Sequence, residues 1–281
     1  MAGFPAIEAV TDDEPGASLS TLGQTMSQHM LVQTDTGKSS PAPLAGRLAA
    51  LDWTRIEADL WETGHARRGP LLSAAECAAL RGMFTDDSRF RKRIRMERYR
   101  YGAGDYAYFS APLPALVRSL RTGFYRRLAT LANRWVEALG EAPAGDGGKY
   151  PAALKDYLAL CHAAGQTRPT PLLLRYTEGG HNRLHQDRYG ALGFPFQVVI
   201  LLSRPGVDFE GGALLLVENR PREQSLGEAI MPVQGEAVII PNAFRPVRGK
   251  RGWLKAGVRH GVSTITRGTR MTLCLIFHDA E

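Results

Sequence analysis

The residues with the clearest chemical content are His185 and Asp187, at the end of the segment Arg175-Tyr-Thr-Glu-Gly-Gly-His-Asn-Arg-Leu-His185-Gln-Asp187. On a β-strand, residues i and i+2 point to one face, so an imidazole and a carboxylate at this spacing can meet one ion. A second imidazole, His260, lies far downstream in Arg259-His260-Gly261. Two histidines and one carboxylate fill one face of an octahedral Fe(II) and leave three positions open. The predicted metal-binding and catalytic set is therefore His185, Asp187 and His260. The three cysteines, Cys77, Cys161 and Cys274, show no CxxC spacing. That argues against a thiolate zinc site and against a disulfide framework, and it makes a reducing cytoplasmic setting the expectation.

The elements that must hold these residues change character along the chain. Leu44, Leu48, Leu51, Ile56 and Leu60 recur at helical spacing over 44–64. Ser73-Ala-Ala-Glu76 has the form of a capping box and predicts a helix running to Phe84. Further helices are predicted near 113–140 and 151–164. From about Pro169 short β-like runs appear between Gly and Pro punctuation: Leu172–Tyr176, Phe196–Leu202, Ala213–Val217, Ala229–Val233, Ala237–Ile240 and Met271–Phe277. The expected fold class is α+β, with a jelly-roll core and the N-terminal helices packed on one sheet. The expected organisation is a disordered acidic tail over 1–43, a helical and basic region over 44–168, and a β core over 169–281 that forms one compact unit with 44–168.

Three further features stand around the two motifs. Tyr176 precedes His185 by nine residues, Phe209-Glu-Gly211-Gly212-Ala-Leu lies between the motifs, and Gly268-Thr-Arg270 puts an arginine ten residues after His260. In this order and spacing, residues 170–280 resemble the Fe(II)/2-oxoglutarate-dependent dioxygenases, in particular their prolyl-4-hydroxylase-like branch. The resemblance implies a double-stranded β-helix, iron on His185, Asp187 and His260, and O2 as the oxidant, with ascorbate as a reductant. It implies that Arg270 pairs with the distal carboxylate of 2-oxoglutarate and that Tyr176 hydrogen-bonds to it. The implied reaction hydroxylates a substrate C–H bond and decarboxylates 2-oxoglutarate to succinate. Many prolyl hydroxylases carry Lys where Arg270 stands, so the cofactor transfers with the resemblance and the substrate does not. On the strand of Arg270 the alternation predicts Thr272, Cys274 and Ile276 inside the barrel and Met271, Leu273, Leu275 and Phe277 under the helices.

Charge supplies the hint about substrate. The chain has 281 residues, 35 Lys and Arg and 28 Asp and Glu, for a net charge of +7. Residues 1–43 carry −4, which leaves +11 on the rest. Between Arg81 and Arg134 thirteen basic residues face four acids, and Tyr99, Tyr101, Tyr106, Tyr108 and Phe109 are interleaved with arginines. Residues 241–270 add eight basic residues and no acid. Arginines hold phosphates and aromatics stack on bases, so nucleic acid is the expected partner, bound through 81–134 and 241–259. Hydroxylating an N-methyl carbon gives an unstable hemiaminal, so the same chemistry would demethylate an alkylated base. A protein side chain of the prolyl type and a small molecule are the alternative substrates. Outside this class stand a non-enzymatic cupin-like metal-binding module and a zinc hydrolase. No apolar run approaches the roughly 18 residues of a membrane span, and no secretory leader pattern opens the chain. No membrane partner is expected.

Overall fold

Two antiparallel sheets carry the fold. The larger runs in the order β1 (Ala66–Arg68), β11 (Ala237–Pro241), β7 (Phe196–Leu201), β14 (Ile265–Ile276), β5 (Leu172–Thr177), β4 (Asp105–Phe109) and β2 (Phe90–Arg95), with β8 (Phe209–Gly211) paired to β14. The smaller runs β10 (Leu226–Ile230), β9 (Leu214–Asn219), β13 (Gly252–Val262), β6 (His181–His185) and β3 (Gly102–Ala103), with β12 (Phe244–Gly249) paired to β13. This is the double-stranded β-helix, or jelly roll. The computed structural model describes residues 42–141, 148–187 and 190–281. Nearly all of the expected acidic tail over 1–43 lies outside the described residues. The region from 41 to 281 forms one compact unit.

Among the described residues five α-helices belong to this unit: α1 (Leu44–Ala49), α2 (Trp53–Glu62), α3 (Ala74–Met83), α4 (Ala115–Leu139) and α5 (Leu154–Ala163). Their apolar stripes cover the outer face of the larger sheet. On α4 the stripe is Val117, Leu120, Phe124, Leu128, Leu131 and Trp135, all buried at i, i+3, i+4 spacing. It packs against Phe196, Val198 and Ile200 of β7 and Leu273 and Leu275 of β14. The Trp135 and Phe196 rings lie 4.4 Å apart. The alternation read along β14 holds: Met271, Leu273, Leu275 and Phe277 join this outer core, while Arg270, Thr272, Cys274 and Ile276 face the barrel cavity. Between the sheets, Val199, Val238, Ile240 and Ile276 meet Leu214, Leu216 and Ile230.

Two departures from the sequence reading have local causes. The apolar spacing over 44–64 predicts one helix, and two form. Asp52 intervenes, and its side chain accepts the Arg55 N–H at 2.9 Å, which starts α2 as a new helix. The region 44–168 is also more than helical and basic: it contributes β1 to β4. Residues 105–109 (Asp-Tyr-Ala-Tyr-Phe) alternate cleanly, with Ala107 and Phe109 toward the helices and Tyr106 and Tyr108 toward the cavity. The charges on its partner β2 mask the pattern, because an edge strand carries Lys and Arg without loss of pairing. The capping box at Ser73 forms in both directions, with Ser73 N–H donating to Glu76 at 2.8 Å.

The last strand is tied to α4 by charge. Arg121 is buried, donates to the carbonyls of Ile276 and Phe277 at 2.9 and 3.0 Å, and pairs with the buried Asp279 at 2.8 Å. Truncating it leaves the buried Asp279 carboxylate with the half-exposed His162 ring, 3.0 Å away, in place of a guanidinium partner. Arg121→Ala is expected to destabilise the fold by about 3–5 kcal/mol, read as a lower urea midpoint with an unchanged slope. A loss below about 1 kcal/mol would contradict this role.

Candidate active site

Both sheets contribute to one interior cavity of about 540 Å³. The smaller sheet supplies the histidines. His185 is the last residue of β6 and lies directly across from His260 of β13 in the antiparallel register, with ring centroids 4.3 Å apart. Gly261 follows His260 because β6 passes so close there: a Cβ at 261 would sit 2.6 Å from the Asn182 carbonyl oxygen. Asp187 is not on the strand with His185. It lies two residues beyond the strand end, where its N–H donates to the Asn242 carbonyl at 3.1 Å. Gln186 pins the same turn by donating to the carbonyls of Ala243 and Val258 at 2.7 and 3.0 Å. The i, i+2 spacing thus brings the two ligands together through a tethered turn and not through the pleat.

One ligand atom from each of His185, Asp187 and His260 lies within 4.8 Å of the others, an arrangement that can hold a metal ion. The chemistry of the donors fits one. His185 Nδ1 is 2.8 Å from the Arg183 carbonyl, so the proton belongs on Nδ1 and the Nε2 lone pair is free to ligate. The Nε2 atoms of both histidines point to Asp187, at 3.6 Å from His185 and 3.2 Å from His260. Burial pushes the His185 pKa down, as does the charge of His260, so the ring is neutral at pH 7. Burial acts to raise the Asp187 pKa, but the hydrogen bond and charge of His260, the charge of His185 and the Gln197 amide together hold it at about 2. Asp187 is therefore ionised and the His185 ring neutral at pH 7, both in their ligating forms.

The larger sheet supplies the other half. Arg270 of β14 and Tyr176 of β5 are direct cross-strand partners, with the guanidinium carbon 5.9 Å from the tyrosine ring centroid. Arg270 is 1% exposed, and its Nε and Nη2 have no hydrogen-bond partner among the described residues. Among the described residues no well-formed hydrogen bond reaches the Tyr176 hydroxyl, although Asn182 lies beside it. Burial lowers the Arg270 pKa to about 10, and it pushes that of Tyr176 up. A buried cation with two unpaired donors on one edge of its fork is costly unless an anion joins it. A carboxylate matches that edge in shape and charge. The Gly211-Gly212 motif makes room for this side chain, since a Cβ on Gly212 would sit 2.8 Å from Arg270 Cδ.

All five residues singled out in the sequence thus line one cavity. Four more join them: Gln197 and Gln186, which the sequence reading passed over, and Tyr106 and Tyr108, which it placed in the base-stacking segment. Gln197 donates to Asp187 at 2.8 Å, lies 3.2 Å from His260 Nε2 and accepts from the Cys274 thiol at 2.9 Å. Its signal was available: it is the single polar residue in the buried run Phe196–Leu201. Tyr106 and Tyr108 form an aromatic wall, their rings 5.5 Å apart and perpendicular, and Gln186 is the fourth. Gln197→Leu removes the amide that orients Asp187. Outer-shell partners of this kind change metal affinity by about 10–100-fold, so Fe(II) or Co(II) binding should weaken by that factor, measured by titration. Unchanged affinity would show that Gln197 merely fills space.

The basic segments are less uniform than their charge suggests. Arg245 is buried, pairs with Glu218 and donates to the carbonyls of Trp61 and Glu62, which ties β12 to α2. Lys255 pairs with Glu141. No basic residue of 241–259 lines the cavity, whereas Arg100 and Tyr101 of the first segment do.

A two-histidine, one-carboxylate set inside a jelly roll defines an oxygenase-type metal centre. Residues 104–280 match the Oxygenase-NA family, described as "Oxygenase, catalysing oxidative methylation of damaged DNA". The chain belongs to this family and is an oxygenase. It is 44% identical over 225 residues to an uncharacterized protein present in two strains of Mycobacterium tuberculosis, a match covering 78% of this chain and 91% of that protein. Among solved structures, a prolyl hydroxylase from Trichoplax adhaerens in complex with a hypoxia inducible factor peptide fragment superposes with a TM-score of 0.50. That match covers 86% of this chain and 94% of the other at 12% identity, and it supports the jelly-roll assignment. A Pseudomonas putida prolyl-4-hydroxylase gives a TM-score of 0.46 at 15% identity over 82% of this chain and 100% of its own.

Proposed function

We propose that this oxygenase uses Fe(II), 2-oxoglutarate and O2 to demethylate N-alkylated bases in nucleic acid. The observation that carries the cofactor assignment is the Arg270 guanidinium, buried with two unpaired donors in the same cavity as His185, Asp187 and His260. The three ligands would hold the iron, and the Arg270 edge would hold the distal carboxylate of 2-oxoglutarate, with the Tyr176 hydroxyl donating to the same group. Bound together, iron and 2-oxoglutarate supply the power to oxidise an unactivated C–H bond. This chain's residues do the rest. Arg270 and Tyr176 fix the cosubstrate at one end. The His185 Nδ1–H bond to Arg183 and the Gln197 bond to Asp187 hold the ligand set in register. Tyr106 and Tyr108, with Leu172 and Val199, line the cavity with rings and aliphatic carbon and exclude water from the reacting carbon. Hydroxylation of an N-methyl group gives a hemiaminal that loses formaldehyde.

The family description concerns damaged DNA, and the aromatic wall beside Arg100 and Arg183 suits a flat base attached to phosphates. The test is formaldehyde release from N-methylated DNA and RNA oligomers in air with Fe(II) and 2-oxoglutarate. Succinate should form in equal amount, and a weak visible charge-transfer band should appear when the two cofactors are added without oxygen. No band and no succinate would overturn the cofactor assignment. Succinate and hydroxylation on a peptide library, with no oligonucleotide turned over, would replace the substrate class with protein.

A further inference from the structure

The ion pairing of surface arginines is uneven. Arg81 pairs with Asp208, Arg89 with Asp86, Arg93 with Asp87, Arg134 with Glu57 and Arg267 with Glu210. Around the cavity mouth the pattern reverses. Arg100 and Arg183, which line the cavity, and Lys92 and Arg168, which line the groove beside it, form no ion pair among the described residues. The groove, of about 350 Å³, shares the rings of Tyr101, Tyr106 and Tyr108 with the cavity as a common wall. Beyond them the groove is lined by Tyr99, Lys92 and Arg168. Arg91 adds a guanidinium 4.5 Å from the Tyr108 ring centroid, and Glu281 is the one acid on the wall.

Two half-exposed rings stand on the groove wall, one of which also lines the cavity. Tyr99 and Tyr101 are 51% and 50% exposed, and their rings stack at 5.5 Å with 18° between planes. Arg100 between them sits in the left-handed region at φ 59°, a turn that lets rings two residues apart lie face to face. The platform is fixed to the metal-bearing strand, because the Tyr101 carbonyl accepts the Arg183 N–H at 2.8 Å.

We infer that Tyr99 and Tyr101 are the stacking platform for the base next to the target base in an unpaired strand, whose phosphates run along Lys92 and Arg168. The inference rests on the nucleic-acid reading above and deepens it to single-stranded substrate. A base held in a duplex cannot reach His260, which is buried, without leaving the stack. Once it enters the cavity, its neighbour loses a stacking partner, and the exposed tyrosine pair replaces it. An aromatic face takes any base, so the platform is tolerant of sequence. The shared tyrosine wall places the inserted base and the stacked base in adjoining spaces.

The experiment uses the full chain loaded with Fe(II) and 2-oxoglutarate. The substrates are an N-methylated single-stranded oligomer, the same oligomer annealed to its complement, and the methylated mononucleotide. Formaldehyde release gives kcat/KM, and anisotropy across a salt series gives affinity. The wild-type protein should favour the single strand over both other forms. In Y99A/Y101A the advantage of oligomer over mononucleotide should shrink by about tenfold or more, the size of a lost base–aromatic stack. Lys92→Glu should reduce the slope of log affinity against log salt by about one. An undiminished oligomer advantage in the double tyrosine variant, or equal turnover of duplex and single strand, overturns the platform while the demethylase reading stands. No formaldehyde from any oligomer with the wild-type protein overturns the nucleic-acid reading and the platform with it.

Discussion

Arg270→Met is expected to raise the stability of the ligand-free protein and abolish its response to 2-oxoglutarate. The two effects have opposite signs because they have one cause. Arg270 is 1% exposed, two of its nitrogens find no partner, and burial lowers its pKa to about 10. Apolar replacements of buried ionic groups are often stabilising by about 1–4 kcal/mol, and methionine fills irregular space well. At roughly 2–4 °C per kcal/mol for a domain of this size, the gain is visible in a melting curve. The wild-type protein instead gains stability as 2-oxoglutarate is added, by about 2.7 kcal/mol at 100 times its Kd. The variant should gain little, because two charge-assisted hydrogen bonds of about 1.5–3 kcal/mol each are gone, an affinity loss on the order of 10²-fold or more. The two melting curves should therefore cross as cosubstrate rises. A ligand-free variant that melts below the wild type, or one that still responds to 2-oxoglutarate, would show that the cation answers to some other partner.

The legibility of this chain followed its periodicity. The facing pattern of β14 could be read residue by residue, since a strand with one face in a barrel and one under helices alternates strictly. Helix α4 forms where a helix was predicted near 113–140, and it ends at Gly140 in the left-handed region. The metal set was legible from residue type, yet the reason Asp187 meets His185 was not. The Asn242 carbonyl and the Gln186 side chain hold that turn, and both contacts join distant parts of the chain. Strand β2 was hidden by its charge, and β3 is only two residues long. Charge also suggested two nucleic-acid-binding segments, 81–134 and 241–259, and tertiary pairing divides their residues: Arg121 and Arg245 are internal anchors, while Arg100 lines the cavity. Net charge cannot make that distinction, because it counts a buried pair and a solvent-facing cation alike.

Asp187→Asn is the counterpart to Arg270→Met and should divide the site along its other seam. The carboxylate is the only anion of the ligand set, and it remains ionised down to a pH of about 2 despite its burial. Across the range where the protein is handled, it therefore contributes no pH dependence to metal binding. His185 does: it titrates below its usual value, so affinity should be level at neutral pH and fall only as acid protonates that ring. Asparagine keeps the size and an oxygen donor but removes the charge. Since losing a group that only orients a ligand costs about 10–100-fold, loss of a charged ligand should cost more than about 100-fold in Fe(II) or Co(II) affinity. Turnover should fall to background. Arg270→Met should leave metal affinity close to the wild-type value, because Arg270 and Tyr176 stand on the opposite sheet from the histidines. Asp187→Asn should in turn keep the anion-binding edge of Arg270, so a dicarboxylate without a chelating end should still stabilise it against heat. If either substitution removes both metal binding and dicarboxylate binding, the two sheets do not hold separable halves of one site.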